Sequence, residues 1–363
     1  MTTPNKINPP RSSQRQRGAA ILIMTLILML GLITLFTFRM DRKGPELEAD
    51  RKTALALAQA KEALLGYAAK DSNRPGSLPC ADINDDGVNM GPDASCLANV
   101  IARLPWKQLD LPDIRDGNGE RLWYAVSQDF RSSLSSALNS TKGGQITLRN
   151  PLGVIVNDAD ASPSTGVIAV IISPGGVLTR QGAATQDRNC AGGGGCTPAP
   201  NLFCLAPYQS VAKCNPINYL DVIVGTEDNA NFYSALPPPP VVPANGFIYG
   251  AVKDATGAIV VNDRILTITR NDLNSVVTFR MARELSLTAY SGAMGVTIAS
   301  IYLKPNVWID NQWDNAVDGP PNNITGPSGV SGSTITLKFM NCNITYIITG
   351  SGNVTRKPPV SSC

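Results

Sequence analysis

The stretch RQRGAAILIMTLILML, residues 15–30, decides how the rest of this chain is interpreted. Two arginines lead into Gly18, and a run without charge then extends from Ala19 to Phe38. A helix of that length, at about 1.5 Å per residue, spans roughly 30 Å, the thickness of a bilayer core. We therefore predict a basic leader over residues 1–18 and a transmembrane helix after it.

The flanking charges predict the orientation of this segment. The leader carries basic residues and no acid, which favours a cytoplasmic N-terminus, although basic residues also follow Phe38. An ordinary secretory signal has a shorter apolar core followed by a small-x-small cleavage site. Here the small residues Gly18, Ala19 and Ala20 precede the core instead.

This arrangement resembles the signal of type IV pilins and pseudopilins, the class III prepilin signal. The resemblance rests on Arg15, Arg17, Gly18, Ala19 and the apolar run that follows. It implies cleavage between Gly18 and Ala19 by a prepilin peptidase and methylation of the new N-terminus. It also implies that the apolar helix anchors the chain in the inner membrane and later packs against other pilin or pseudopilin subunits in a filament.

One residue departs from the usual pattern of the class. Major pilins carry Glu at the fifth mature position, which is Ile23 in this chain. The resemblance therefore implies a minor pilin or a pseudopilin-like subunit of a type IV pilus or a type II secretion-like filament. The alternative is an uncleaved, membrane-anchored periplasmic binding protein or adhesin. Both interpretations predict a single-pass inner-membrane protein with a periplasmic head.

A second helix is predicted over residues 45–70. Pro45 suits the first turn of a helix, and the following segment is rich in Ala, Leu, Glu and Lys. Its apolar residues recur at helical spacing and form one stripe. The predicted fold class is therefore α+β: a long N-terminal helix, with a membrane half and an amphipathic half, packed on a β-rich, disulfide-containing head over residues 71–363. The stripe comprises Ala54, Leu57, Ala58, Leu64, Leu65 and Ala68.

Several segments of the head carry clear local signals. The run TGVIAVIISPGG, residues 165–176, predicts a buried strand. A helix is predicted from Asn271 or Asp272 to about Tyr290. The alternating segment over residues 333–358 predicts a hairpin. Trp106, Trp123 and Tyr124 are expected in the core rather than on a ligand-binding platform.

The loop CADINDDGVNMGPDASC, residues 80–96, is the strongest candidate binding site. It fits the first half of a calcium loop, D-x-[DN]-x-[DN]-G, in which alternate oxygens converge on one cation. Against this, Met90 and Pro92 depart from the calcium pattern, and Asp, Asn and Gly are also common in tight turns. A calcium site and an ordinary Asx-rich turn both remain open. The calcium ligands would be Asp82, Asn84, Asp86, the Val88 carbonyl and Asp93.

The cysteines predict disulfides rather than a metal site or a redox motif. Their number is even and no C-x-x-C occurs, which excludes zinc-ribbon and thioredoxin-like arrangements. Nearest-neighbour pairing is expected, although the middle four cysteines could exchange partners. The expected pairs are Cys80–Cys96, Cys190–Cys196, Cys204–Cys214 and Cys342–Cys363.

Composition excludes several classes of function. The chain has no histidine, which removes every catalytic triad and metal site built on imidazole. A net charge of +3, with scattered basic residues, gives no nucleic-acid-binding surface. The chain is therefore predicted not to be an enzyme, with calcium as the one candidate cofactor.

Overall fold

The structure is a computed structural model of the 363-residue chain. It describes residues 21–32, 43–82, 85–89, 101–132, 138, 142–181, 185–186, 188, 216–223, 227–230, 246–290, 330–331, 334–339, 342–348 and 354–356. The chain divides into two compact units, Met1–Arg51 and Lys52–Cys363.

Three α-helices lie in the described residues. Helix α1 covers residues 21–32, α2 covers Lys43–Lys70 and α3 covers Arg270–Tyr290. Short 3₁₀ turns occur at Gln128–Phe130 and Pro216–Asn218.

The strands of the described residues are short. They are β1 (Ala102–Arg103), β2 (Trp123–Val126), β3 (Thr147–Arg149), β4 (Ile155–Asn157), β5 (Ala169–Ser173), β6 (Val222–Ile223), β7 (Glu227–Asp228), β8 (Gly246–Ile248), β9 (Val252–Lys253), β10 (Ile259–Val261), β11 (Arg264–Ile268), β12 (Val330–Ser331), β13 (Thr334–Phe339), β14 (Cys342–Ile348) and β15 (Val354–Arg356). The principal sheet is antiparallel, in the order β1-β2-β5-β11. Smaller sheets have the orders β4-β3-β8, β12-β13-β14-β15, β10-β9 and β6-β7.

The central strands of the principal sheet, β2 and β5, are buried on both faces. Along β2, Tyr124 and Val126 enter one hydrophobic core, whereas Trp123 and Ala125 enter another. Successive side chains of a strand point to opposite faces, so a strand covered on both sides has no polar alternation. This explains the continuous apolar run that predicted the buried strand at β5, whose residues are all buried.

Helix α2 and helix α3 contribute to the first of these cores. The buried positions of α2 recur every three or four residues, as expected for one helical face. This stripe differs in detail from the predicted one, because Ala54 and Ala58 are exposed. The buried residues of α2 are Thr53, Ala56, Leu57, Ala60, Leu64 and Ala68.

Polar contacts from α3 hold the end of α2. The Arg280 guanidinium donates to the backbone oxygens of Ala69 and Asp71, and thus reaches a carbonyl left unpaired at the helix terminus. Lys61 forms an ion pair with Asp272, with 2.9 Å between nitrogen and oxygen. The two helices are therefore fixed relative to each other by charge as well as by packing.

The predicted fold class is wrong. It required one long N-terminal helix with an apolar half, packed on a β-rich head, whereas the described residues contain separate helices mixed with several small sheets. Pro45 lies in the first turn of α2, a position that suits a helix start and not the interior of a continuous helix.

The membrane predictions are also contradicted. Within the described part of the chain, no helix combines the length and the apolar character needed to cross a membrane. The described residues 21–32 of helix α1 cover about 18 Å, at about 1.5 Å per residue. This finding overturns the transmembrane helix over residues 19–38 and the single-pass inner-membrane location with a periplasmic head.

Candidate functional site

Helix α1 exposes apolar side chains on every side. The exposed fractions of its large hydrophobic residues lie between 54% and 76%. A helix that is apolar all round is normally surrounded by other apolar groups. The exposed residues are Ile21, Leu22, Ile23, Met24, Leu26, Ile27, Leu28, Met29, Leu30 and Leu32.

Thr25, a hydroxyl-bearing residue of α1, is satisfied within the helix. Its Oγ1 lies 3.1 Å from the Ile21 oxygen and 2.9 Å from the Leu22 oxygen. At Gly31, an added Cβ would meet nothing within 4 Å. Helix α1 therefore presents a surface suited to close packing with apolar neighbours.

The predicted calcium loop is described in part. Asn84 and Asp93 lie outside the described residues, as do the predicted processing residues Gly18 and Ala19. The buried Asp82 is paired with Arg103 through two backbone hydrogen bonds, and its Oδ2 accepts the Gly87 N–H at 2.7 Å. Asp86 Oδ1 accepts the Val88 N–H at 2.8 Å.

These contacts give the two carboxylates the roles expected in an Asx-rich turn. Within the described residues, no group of three or more Asp, Glu, Cys or His side chains is arranged to hold a metal ion. Calcium binding by this loop stays a prediction, because the predicted ligands Asn84 and Asp93 lie outside those residues.

The turn also brings Gly87 against Trp106. Gly87 has φ +89°, and an added Cβ would lie 2.7 Å from atoms of the Trp106 ring. The Gly87 oxygen accepts the Lys107 N–H at 2.8 Å. Glycine is therefore required here both by backbone conformation and by space.

The structure does not support the predicted set of four disulfides. Cys80 is disulfide-bonded, but the side chains of the other seven cysteines lie outside the described residues. No complete disulfide is found within the described part of the chain.

Next to the loop, arginines and aromatic rings form a stacked cluster. The Arg103 guanidinium lies over the rings of both Trp123 and Tyr219, which also contact each other. Arg121 forms an ion pair with Asp85 at 2.9 Å and hydrogen bonds with Asp113. The hydrogen bonds that Arg121 donates to Asp113 raise the pKa of Arg121, although burial opposes this.

The same arginines act on Asp113. Partial burial works against ionisation of its carboxyl, but hydrogen bonds from Arg121 and Arg115 outweigh that effect and hold the pKa of Asp113 below its ordinary value. The cluster includes the buried Trp123 and borders the buried Tyr124, as the sequence predicted for core aromatics. The third predicted core aromatic, Trp106, is only partly buried.

A buried pair of carboxyls, Asp221 and Asp263, was not expected from the sequence. Both side chains are fully buried. The Asp221 N–H donates to Asp263 Oδ2 at 2.8 Å, and the Asp263 N–H donates to Asp221 Oδ2 at 3.2 Å. A signal was present, since each acid interrupts or borders an apolar run, NYLDVIV at 218–224 and AIVVNDRILTI at 258–268.

Burial governs the ionisation of this acid pair. It raises the pKa of Asp221 to about 6, although hydrogen bonds from Asn262, Asp263 and Gln186 favour the charged form. Burial and the neighbouring Asp221 charge raise the pKa of Asp263 well above its ordinary value.

Comparisons with known proteins give this chain no relatives. It matches no family model, and neither the search of curated proteins nor that of solved structures found a similar protein.

Proposed function

We propose that this chain is a structural subunit of a pilin-like or pseudopilin-like filament, of the minor type, that assembles through helix α1. The observation that carries the proposal is the exposure of large apolar side chains on all sides of that helix. The resemblance of residues 15–38 to a prepilin signal supplies the class of assembly.

The geometry of α1 favours several neighbours over one. A single flat partner would cover one stripe of the helix and leave the others in water. Burying a Leu, Ile or Met side chain contributes about 1.5–3 kcal/mol, so the free energy favours surrounding the helix completely. Helices of other subunits, arranged around α1 in a filament core, would do this.

Residue 23 fits this role. It would be the fifth residue after cleavage between Gly18 and Ala19, and Ile23 is apolar and 57% exposed. At this position the side chain adds to the packing surface instead of supplying a carboxylate. This supports a low-copy subunit of the kind that lacks the usual acid.

Processing provides the first test. The full chain is produced with and without an active prepilin peptidase, and the N-terminus of the product is sequenced. The expected product begins at Ala19. A Gly18→Val variant serves as the processing-deficient control. An intact leader, with the peptidase active on a known prepilin in the same cells, would count against the proposal.

Assembly provides the second test. The processed chain is compared with Leu28→Glu, which places a charge in α1, by sedimentation and electron microscopy. Filamentous or regular assemblies are expected from the wild type and not from the variant. Leu152→Glu, at a residue 85% exposed outside α1, is the matched control and should assemble normally. Equal assembly of all three proteins would refute a role for α1.

A further inference from the structure

The two carboxyls of the acid pair have different partners. Asp221 Oδ1 accepts the Gln186 side-chain amide at 2.8 Å, and its Oδ2 accepts the Asn262 N–H at 2.7 Å. Asp263 Oδ2 accepts the Asn229 side-chain amide at 2.9 Å, but its Oδ1 is buried without a hydrogen-bond partner. A buried carboxylate oxygen without a donor is costly, whereas a neutral carboxyl carries a smaller penalty.

The acid pair joins segments that are distant in the sequence. Asp221 follows the turn at residues 216–220, and Asp263 lies between β10 and β11. Asn229 extends the network to β8, where its side chain donates to the Ile248 oxygen and accepts the Ile248 N–H, each at 2.9 Å. The network therefore connects three separate parts of the chain through a few side chains.

Arg188 is the cation that acts on both acids, and it favours their charged forms. Its guanidinium is engaged elsewhere, because it donates to the Gly175 and Gly176 oxygens and to Gln186 Oε1, and lies 3.6 Å from Glu120.

Other ionisable side chains border the same segments. Asp228 is paired with Arg180, Arg264 is exposed and Tyr249 is partly buried. Burial raises the pKa of Tyr219 above its ordinary value, so Tyr219 is neutral near pH 7. Among the residues that the structure describes, one engaged arginine, Arg188, thus faces two buried acids.

We propose that Asp221 and Asp263 form a proton-operated latch. While the segments around the pair are packed together, which we call the closed form, the two carboxyls share at least one proton. Solvent-exposed carboxyls would have released that proton near neutral pH. Loss of that proton leaves two carboxylates close together in a buried site. Their repulsion weakens the packing of residues 216–223 and Asn229 against residues 259–268, which gives the open form. The latch lies within the unit Lys52–Cys363 and does not depend on the proposed filament role.

The direction of the pH effect follows from proton binding. Both acids have a pKa raised above the ordinary value of 3.8, so the closed form binds more protons than the open form. The latch is therefore most stable at low pH and is weakened as the pH rises through about 6, the pKa of Asp221, and through the higher pKa of Asp263. Each proton released on opening raises the opening constant by about tenfold per pH unit in this range.

Hydrogen exchange in the full-length protein tests this directly. Exchange is followed by mass spectrometry between about pH 5 and pH 8, the range set by the raised acids, after correction for intrinsic exchange. Peptides covering residues 216–223 and 259–268 should lose protection as the pH rises, whereas a peptide covering β2 should not. Asp263→Asn, which replaces the carboxyl by a neutral group of the same shape, should remove this dependence.

Asp160→Asn is the matched control, since Asp160 is exposed, and it should behave as the wild type. Retention of the full pH dependence by Asp263→Asn would overturn the proposal. So would a protection change caused by calcium or by EDTA at constant pH, because the pair would then hold a cation instead of a proton.

A wild-type measurement keeps the proposal falsifiable if the variant does not fold. Infrared difference spectra of the intact protein should show a protonated carboxyl at neutral pH that disappears as the two peptides lose protection. Absence of such a band above about pH 5, where ordinary carboxyls are ionised, would exclude the latch.

Discussion

The guanidinium carbon of Arg103 lies 4.0 Å from the ring centroid of Trp123 and 4.1 Å from that of Tyr219. Arg103 belongs to β1 and Trp123 to β2, whereas Tyr219 comes from the turn at 216–220. One planar cation thus links the principal sheet to a distant segment, and its side chain also donates to the Arg121 oxygen at 2.9 Å.

Arg103→Lys is expected to destabilise the fold by about 2 kcal/mol. A lysine keeps the charge but cannot stack on two rings at once, and a desolvated cation–π contact contributes roughly this amount. Chemical denaturation followed by tryptophan fluorescence measures the loss. Arg51→Lys, at an exposed position of α2, should leave stability unchanged. Equal stability of the two variants would show that the stacking contributes nothing.

Gly87→Ala is expected to destabilise the turn more than Gly119→Ala does. Both glycines have positive φ, +89° and +83°, so both substitutions incur backbone strain of about 1–2 kcal/mol. Only at Gly87 would the new Cβ also meet Trp106, whereas nothing lies within 4 Å at Gly119. The difference in thermal unfolding temperature between the two variants measures the cost of the contact with Trp106. Identical losses in the two variants would contradict the described geometry.

Thr53→Val is expected to cost about 1–3 kcal/mol, because it leaves the Gly117 N–H without its acceptor. Thr53 is buried, and its Oγ1 accepts that N–H at 2.9 Å, which ties α2 to the loop before β2. Thr53→Ser retains the hydroxyl and serves as the control. Denaturation midpoints should fall clearly for valine and little for serine. The reverse order would indicate that the methyl group, and not the hydrogen bond, is important.

Asp272→Asn is expected to remove stability near pH 7 by about 1 kcal/mol, and this loss should shrink as the pH falls through the lowered pKa of Asp272. Burial opposes ionisation of Asp272, but Thr269 and Lys61 outweigh it and lower the pKa of this carboxyl. Its stabilisation is therefore present above the ordinary carboxyl range and is lost as the pH falls through the lowered pKa. Stability curves against pH test this. Glu62→Gln, an exposed substitution on α2, should shift neither end of the curve.

Local sequence patterns predicted several elements correctly. The β-branched run at residues 165–176 contains β5, and the alternating segment near the C-terminus contains β13, β14 and β15 in antiparallel register. The helix expected from Asn271 or Asp272 is α3. Its cap differs, since Thr269 and Asp272 bond reciprocally at the helix start. The spacing of apolar residues predicted where the helix lies. The identity of the capping residue depended on the backbone conformation at the helix start, which the sequence pattern does not give.

The apolar run at residues 19–38 shows where the same approach failed. The run predicted an apolar surface, which α1 has, and also a membrane-spanning length, which the described residues do not have.

The sequence by itself determined the periodicities of α2, α3 and the strands, because these depend on contacts a few residues apart. It also placed glycine at the turn that requires it. The tertiary structure alone decided that Arg103 stacks on Tyr219 and that Asp221 and Asp263 meet in a buried site. Those relationships join residues separated by long stretches of chain, and the burial that shifts the pKa values of the acids exists only after the surrounding segments have packed.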